Sequence, residues 1–331
     1  MGYKEEALEF LGITRWHELG YRGQGIKFMS DEKVTEKRHP DVIVPNGYAT
    51  KNNHGDDVMS HIKLVAPDGE FISYPVAGSF TGNSYKCPTY EYIKENKVHI
   101  WTSSSLGQFP PKGKQKGIQD CISAGCIFFT CAGNSGNDGV WDEAQYEGYY
   151  AVGGVRPKYI GDDEYDWNDL QKTRTSSVGQ ELDFVTIAEI KGISGTSFCS
   201  PIFAGMVGLV QQFFIEETGR RLTRGEMELF IKDNCIDVEV EGFDLRTGYG
   251  VFILPEPSTI YIKKYVSEYK ETPLAELQIG NNTYLINGKP KTYDAAPFIQ
   301  NGRTYTPVRF LEDIGFEVEW IENEQKVIIR K

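Results

Sequence analysis

A hydroxyl, an imidazole, a carboxamide and two adjacent carboxylates are the groups in this sequence that could work together on an acyl centre. Ser197 lies in Gly195-Thr196-Ser197-Phe198-Cys199-Ser200-Pro201, a small-residue turn that opens directly into the apolar run 202–210. A serine at such a helix start stands beside free N–H groups and the positive end of the helix dipole, where an anion is stabilised. A serine nucleophile also needs a base to take its proton and a carboxylate to orient that base. Donors must be aimed at the oxyanion of the tetrahedral intermediate. His54, at a helix start after a polar loop, is the candidate base. Asn134, in the turn Ala132-Gly133-Asn134-Ser135-Gly136, is the candidate donor, and Asp31 and Glu32 are the candidate carboxylates. Each has a plain reading as well: a helix-capping serine, a structural histidine, an asparagine kept for its backbone conformation, a pair of solvated loop acids. Their conjunction is what suggests chemistry.

These groups need a scaffold, and the apolar pattern supplies one. The run after Ser197 is apolar on every side and too short to span a bilayer, so it reads as a helix buried in a large domain, with Pro201 in its first turn. Residues 4–20 and 54–64 carry helical periodicity, and so does a stretch near 114–124. Strands are expected over 26–30, 71–76, 98–103, 126–131 and 149–155, with 33–53 mostly loop. Apolar strands alternating with helices indicate an α/β domain with a mostly parallel sheet covered on both faces. The candidate residues fall just past strand ends or at helix starts, where open parallel sheets place their sites.

The chain has 331 residues, room for one large domain and a small one. Composition shifts near residue 255. The expected division is therefore a domain over 1–255, a linker over 256–275 in which 260–262 could form a terminal strand, and a β-rich module over 276–331. A formal net charge of −12 argues against a nucleic-acid or anionic-membrane partner. The start of the chain lacks the pattern of a secretory signal, and Glu6 spoils a myristoylation pattern at Gly2. Cys87, Cys121, Cys126, Cys131, Cys199 and Cys235 lack metal-type spacing and read as reduced core thiols, which suggests a cytoplasmic protein.

Together, and in this order, the motifs resemble those of the subtilisin-like serine proteases. Gly195–Pro201 with Ala204-Gly205 is similar to that family's nucleophile motif, His54-Gly55-x-x-Val58 to its histidine motif, and Ala132-Gly133-Asn134 to its oxyanion-hole turn. Gly25-Ile26-Lys27, Ser105-Leu106-Gly107, Ala151-Val152-Gly153 and Ser176-Ser177-Val178-Gly179 add to the likeness, which covers roughly residues 1–255. The resemblance implies the three-layer subtilisin-like fold. It also implies Ser197 as nucleophile, His54 as general base and then acid, and Asn134 with the Ser197 N–H as oxyanion hole. The edge Ser104, Ser105, Leu106 and Gly107 would pair with an extended polypeptide substrate.

The chain departs from the family pattern at three places. The family's acid is an Asp followed by Ser/Thr-Gly, whereas this chain has Ser30-Asp31-Glu32-Lys33. Strand parity counted from Gly25 favours Glu32 and side-chain length favours Asp31; the balance tips to Glu32, with both kept. Asp57 replaces the motif's second histidine, with Asp56 beside it, and this negative charge should raise the pKa of His54 and move any hydrolysis to higher pH. The connection after His54 is short and lacks the loop that builds a calcium site in secreted members. No cofactor or metal is therefore expected, and the acidic run 162–166 reads as a solvated loop. The chain begins at what resembles the mature domain, with no room for an inhibitory prodomain.

Residues 276–331 resemble the small module named after the N-terminal domain of copper amine oxidases, through Ile286-Asn287-Gly288-Lys289, Ala296-Pro297-Phe298-Ile299, Asn301–Phe310 and Glu319-Trp320. No His or Cys follows Cys235, so copper ligands of the usual kind are lacking, and the module reads as a spacer or as the binder of an unknown partner. Two functions remain open from the sequence. One is a serine endopeptidase working through an acyl-enzyme on Ser197; the other is an inactive relative that keeps the groove for binding or scaffolding. Gly139-Val140-Trp141 should line part of the specificity pocket.

Overall fold

Short apolar segments such as 27–30, 100–103 and 127–131, buried at nearly every position, dictate a sheet, and helices cover both of its faces. The computed structural model describes residues 2–74, 88–104, 111–268, 275–286, 289–300, 303–321 and 325–330. It divides into two units, Met1–Ser267 and Glu268–Lys331.

In the first unit the elements run α1 (Tyr3–Phe10), α2 (Ile13–Glu18), β1 (Lys27–Ser30), α3 (His54–Val65), β2 (Glu70–Ser73), α4 (Pro88–Glu95), β3 (Ile100–Ser103), α5 (Pro111–Ser123), β4 (Ile127–Cys131) and β5 (Tyr149–Gly161). They continue through β6 (Glu164–Lys172), β7 (Leu182–Ile187), α6 (Thr196–Thr218), α7 (Arg224–Asp233), β8 (Cys235–Ile236) and β9 (Val251–Phe252). Among the described residues the strands form one sheet in the order β2-β1-β3-β4-β5-β7-β9-β8, with β6 hung antiparallel on β5. Pairing from β2 through β9 is parallel, and only β6 and β8 run against it.

Alternation sorts the strand side chains into two cores. Phe28 and Phe129 face α6, against Gly208 and Phe203, whereas Met29, Trp101 and Phe128 pack with Tyr90, Ile93 and Ile118 of α4 and α5. Helices on both faces of a mostly parallel sheet make three layers, the subtilisin-like architecture expected.

Several elements differ from the sequence-based expectation, each for a local reason. The segment read as one helix over 4–20 is two, because Gly12 takes φ 78° and a side chain there would meet the Leu254 carbonyl at 2.5 Å. The strand at 149 runs on to Gly161 and turns back, and the acidic run 162–166 is the tip and start of this hairpin. Asp162 and Asp163 sit at φ 50° and 60°, a conformation Asp tolerates. Residues 257–264 form two short 3-10 turns rather than a strand. The first unit reaches Ser267 because Tyr265 packs 4.9 Å from the Phe230 ring and Val266 is buried. Pro75 and Val76, expected to extend β2, lie outside the described residues.

The largest correction concerns α6. It has 23 residues, long and apolar enough to cross a bilayer, because Gln211 and Gln212 continue a helix that the apolar run alone made look shorter. Its apolar window is 94% buried inside the domain, so protein rather than lipid covers it. Pro201 stands in the helix interior and not in its first turn. A residue there would normally donate its N–H to the carbonyl four residues back, at Ser197. That carbonyl is instead taken by the Ser104 hydroxyl at 2.7 Å.

The second unit consists of antiparallel pairs: β10 (Ala275–Glu276), β11 (Thr283–Ile286) and β12 (Lys289–Thr292) in one sheet, then β13 (Phe298–Gln300) with β14 (Arg303–Tyr305), and β15 (Glu317–Ile321) with β16 (Lys326–Arg330). Tyr284, Ile286 and Phe310 form its core.

Close approach of α6 to its neighbours rests on two glycines. A Cβ at Gly205 would lie 2.7 Å from Val65 Cβ, and one at Gly208 would lie 2.2 Å from the Phe28 ring. Alanine is the better helix former by about 1 kcal/mol, but overpacking a filled core costs about 1–3 kcal/mol. Gly208→Ala should therefore destabilise the first unit, read as a lower urea midpoint; a higher midpoint would mean that the helix can shift away from β1.

His61 is fully buried on α3, and burial pushes its pKa down to about 4; His99 is lowered to about 4 for the same reason. Both stay neutral when folded but protonate near 6.5 when unfolded. The stability they contribute is thus complete above about pH 6.5 and is lost as the pH falls toward 4. In urea titrations at stepped pH, His61→Leu should flatten this acid slope; an unchanged slope would assign it elsewhere.

Candidate active site

The candidate residues come from the carboxyl ends of three strands and the first turns of two helices. Glu32 follows β1, Ser104 follows β3 and Asn134 follows β4, while His54 opens α3 and Ser197 sits in the first turn of α6.

The start of α3 is rigidly specified. Asn53 caps it, accepting from the Gly55 N–H at 2.8 Å, and Asp56 reaches back to the Asn53 N–H at 3.1 Å, completing a capping box. The buried Asp56 carboxylate also accepts from the Thr35 N–H at 2.7 Å and from its hydroxyl, which pins the 33–53 loop to the helix. Gly55 is required for a further reason. A Cβ there would meet the Lys33 carbonyl at 2.3 Å and Glu32 Cβ at 2.8 Å, so only glycine lets the chain carrying Glu32 pass over the helix end.

That passage brings the two charged groups together. His54 Nδ1 donates to the Glu32 carboxylate, with contacts of 2.7 and 2.9 Å to its two oxygens. The Glu32 side chain is 11% exposed and the imidazole 43%. Asp31 points elsewhere and accepts from the Ser103 hydroxyl at 2.7 Å. Of the two carboxylates left open by the sequence, Glu32 is the one hydrogen-bonded to the imidazole. The extra methylene is accommodated by holding its backbone in place: the Ser73 hydroxyl donates to the Glu32 carbonyl at 2.5 Å, and Ser30 Oγ accepts its N–H at 3.3 Å.

The His54 pKa is raised above its ordinary value. The hydrogen bond to Glu32 is the main cause, burial opposes it, and the charges of Glu32, Asp57 and Asp31 add to the rise. The expected contribution of Asp57 is present but is not the leading one, and Arg38 pairs with it at 2.8 Å. Asp56 spends its charge on Thr35 and Asn53.

On the other side of the groove, Ser197 is 8% exposed, and its hydroxyl lies 3.4 Å from the Ser104 carbonyl. Its neighbour Phe198 sets its ring 5.4 Å from the His54 ring, so the first turn of α6 abuts the imidazole. With Nδ1 engaged by Glu32, Nε2 is the nitrogen available to a hydroxyl.

Asn134 is oriented by α6 itself. Its Oδ1 accepts from the Thr196 N–H at 2.9 Å and from the Thr196 hydroxyl at 3.1 Å. The amide nitrogen is thereby left as a donor beside the first turn of α6. The turn is held from beneath: Ser135 N–H donates to the Ser177 hydroxyl at 3.1 Å, and Ser177 N–H to the Gly133 carbonyl at 3.0 Å. Trp141 lies over Gly133, where a Cβ would meet its ring at 2.4 Å, and donates to Ser135 Oγ at 2.7 Å. It packs on the asparagine turn from outside. The roles of Thr196 and Ser177 were not read from the sequence, although both stand inside quoted motifs. Of the proposed substrate edge, Ser104 is buried beside Ser197, while Ser105, Leu106 and Gly107 lie outside the described residues. No cluster of acidic, His or Cys side chains suited to a metal occurs among the described residues.

The arrangement has counterparts among known proteins. Residues 30–250 match the family described as the subtilase family, and residues 219–329 match the copper amine oxidase N-terminal domain. A thermostable alkaline protease of Halalkalibacterium halodurans is 23% identical over 246 residues, covering 65% of this chain; the chain spans 64% of that relative's length. A crystal structure of a lanthipeptide protease superposes with a TM-score of 0.58 at 17% identity, over 75% of this chain and 92% of the other. The prenylagaramide maturation protease PagA gives a TM-score of 0.56 at 18% identity, over 73% and 95%.

Because the Glu32 bond is the leading cause of the raised His54 pKa, Glu32→Gln should lower that pKa, read from the imidazole resonances in an NMR titration. Glu32→Asp draws the carboxylate back by about one C–C bond, roughly 1.5 Å, and should recover only part of the shift. A His54 pKa that stays put in both variants would remove Glu32 as its partner.

Proposed function

The chain belongs to the subtilase family, and from that premise we propose that it is a serine endopeptidase that cleaves a polypeptide through an acyl-enzyme on Ser197. One observation carries the proposal: Glu32 holds the His54 imidazole through Nδ1, next to a helix start where Asn134 is turned with its amide nitrogen available. We read these groups as a base, its orienting carboxylate and an oxyanion donor that serve the buried Ser197 hydroxyl.

In this reading the steps are those of acyl transfer through a serine. Ser197 Oγ attacks the peptide carbonyl carbon, and its proton passes to His54 Nε2. The oxyanion that forms is met by the Asn134 amide N–H and the Ser197 backbone N–H, with the positive end of α6 behind them. The C–N bond breaks as imidazolium returns the proton to the leaving amine. Water then attacks the acyl ester, giving its proton to His54, and Ser197 is released. Glu32 stabilises the imidazolium without itself becoming protonated. His54 must be neutral to start the cycle, so its raised pKa places the acidic limb of the rate profile at higher pH than for an unassisted imidazole.

The setting we propose is a reducing, cytoplasmic one, supported by the thiols of Cys126 and Cys199, both buried, and of Cys235. The second unit is proposed as a spacer or partner-binding module.

A fluorophosphonate probe should label the protein at Ser197 and not the Ser197→Ala variant. Asn134→Ala should lower kcat on a peptide by about 10²–10³-fold with KM little changed, as expected for a donor that serves the oxyanion. Absence of labelling in the folded protein would leave a peptide-binding relative without catalysis.

A further inference from the structure

Asn134 is exposed, and so is Ser135 after it, so the turn that carries the oxyanion donor has little core of its own. Besides Thr196 and Trp141, what holds it is a second stretch of chain, residues 173–178, laid alongside. Gly136 N–H donates to the Thr175 carbonyl at 2.9 Å, Ser177 N–H to the Gly133 carbonyl at 3.0 Å, and Ser135 N–H to the Ser177 hydroxyl at 3.1 Å. Ser177 therefore grips the residues on both sides of Asn134, one with its N–H and the other with its hydroxyl. It is fully buried, so water does not compete for either group.

This stretch is itself anchored to the sheet. Gly154 of β5 accepts from the Thr173 N–H at 2.9 Å and donates to the Ser176 hydroxyl at 3.0 Å. Lys172, the last residue of β6, closes the turn from its other end. Its ammonium donates to the Thr173 carbonyl at 3.0 Å and to the Ser176 carbonyl at 2.6 Å. The Ser176 carbonyl and the Ser177 N–H belong to one peptide group, and the Gly133 carbonyl and the Asn134 N–H belong to the group that follows in the row. A positive charge thus stands at the head of hydrogen-bonded peptides that end on Asn134. Bonds in such a row polarise one another, and a charged donor holds its carbonyl more firmly than a neutral one. The lysine therefore strengthens the grip of Ser177 on the turn.

We propose that Ser177, supported by Lys172, is a positioning residue for the oxyanion donor. Thr196 fixes the oxygen of the Asn134 side chain, and Ser177 fixes the backbone from which that side chain starts. Both ends matter, because a donor serves the oxyanion only at hydrogen-bonding distance and a displacement of about 1 Å can cost about 10²-fold in rate. Ser177 and Lys172 act through Asn134 and not on the substrate. The inference rests on the proteolytic reading of Ser197 and adds to it what holds the donor in place.

The test follows the rate of fluorophosphonate labelling at saturating probe. In that reaction Ser197 Oγ bonds to phosphorus, its proton passes to His54 and fluoride leaves, while the phosphoryl oxygen gains negative charge where a peptide oxyanion would. Ser177→Ala should slow labelling about tenfold and Lys172→Met about threefold, with the half-saturating probe concentration little changed. In the Asn134→Ala background each should change the rate by less than about twofold, because the group they act through is gone. A loss of equal size in both backgrounds, or no loss in the first, would overturn the inference. Thermal melts check that the variants fold, and Lys172→Met, at a half-buried strand end, decides the matter if Ser177→Ala does not. The side-chain amide resonance of Asn134, identified by its disappearance in Asn134→Ala, reads the positioning apart from catalysis. It should move in both variants, and a resonance that stays in place overturns the positioning alone. Wild-type protein that resists labelling while this resonance moves in the variants overturns the catalysis alone.

Discussion

The site depends on one helix being buried on every side. All residues of α6 from Thr196 to Phe214 are buried, so the helix has no solvent face along which to slide and its first turn is fixed to the sheet. Ser197 inherits that fixity. Gly205 and Gly208 bring the helix against Val65 and Phe28, while the Ser200 hydroxyl meets Thr102 at 2.7 Å. The proline in its interior removes one backbone donor, and Ser104 fills the vacancy at the Ser197 carbonyl. The same defect that weakens the helix therefore ties the nucleophile to the end of β3. Thr196 ties it equally to the end of β4, through Asn134 and through its hydroxyl, which accepts from the Gly133 N–H at 3.1 Å. Two strand ends and a helix start become one rigid body.

Negative charge around His54 is sorted by partner. Asp31, Glu32, Asp56 and Asp57 all lie near the start of α3, and together they could trap a permanently protonated imidazole. Asp56 is satisfied by hydrogen bonds from the capping box and Thr35, Asp57 is paired with Arg38, and Asp31 accepts from Ser103. Glu32 alone is aimed at the ring. This division makes the local field directional: the imidazolium is stabilised along the Nδ1 axis, where orientation is needed, and the other acids contribute less.

The sequence made the fold class and the meeting of these groups legible because both rest on local signals. Apolar runs of strand length separated by helical periodicity specify the parallel sheet, and strand parity from Gly25 already pointed to Glu32. What the sequence hid was non-local. The length of α6 was obscured because Gln211 and Gln212 look like a polar end, yet Gln211 is fixed at both ends of its amide to the Leu222 backbone, at 2.8 and 3.0 Å. The break at Gly12 was invisible because its cause, the Leu254 carbonyl, lies far along the chain. The β5–β6 hairpin was missed for another reason: β6 is half-exposed and mixed in composition, and carries little of the alternation by which a strand is recognised.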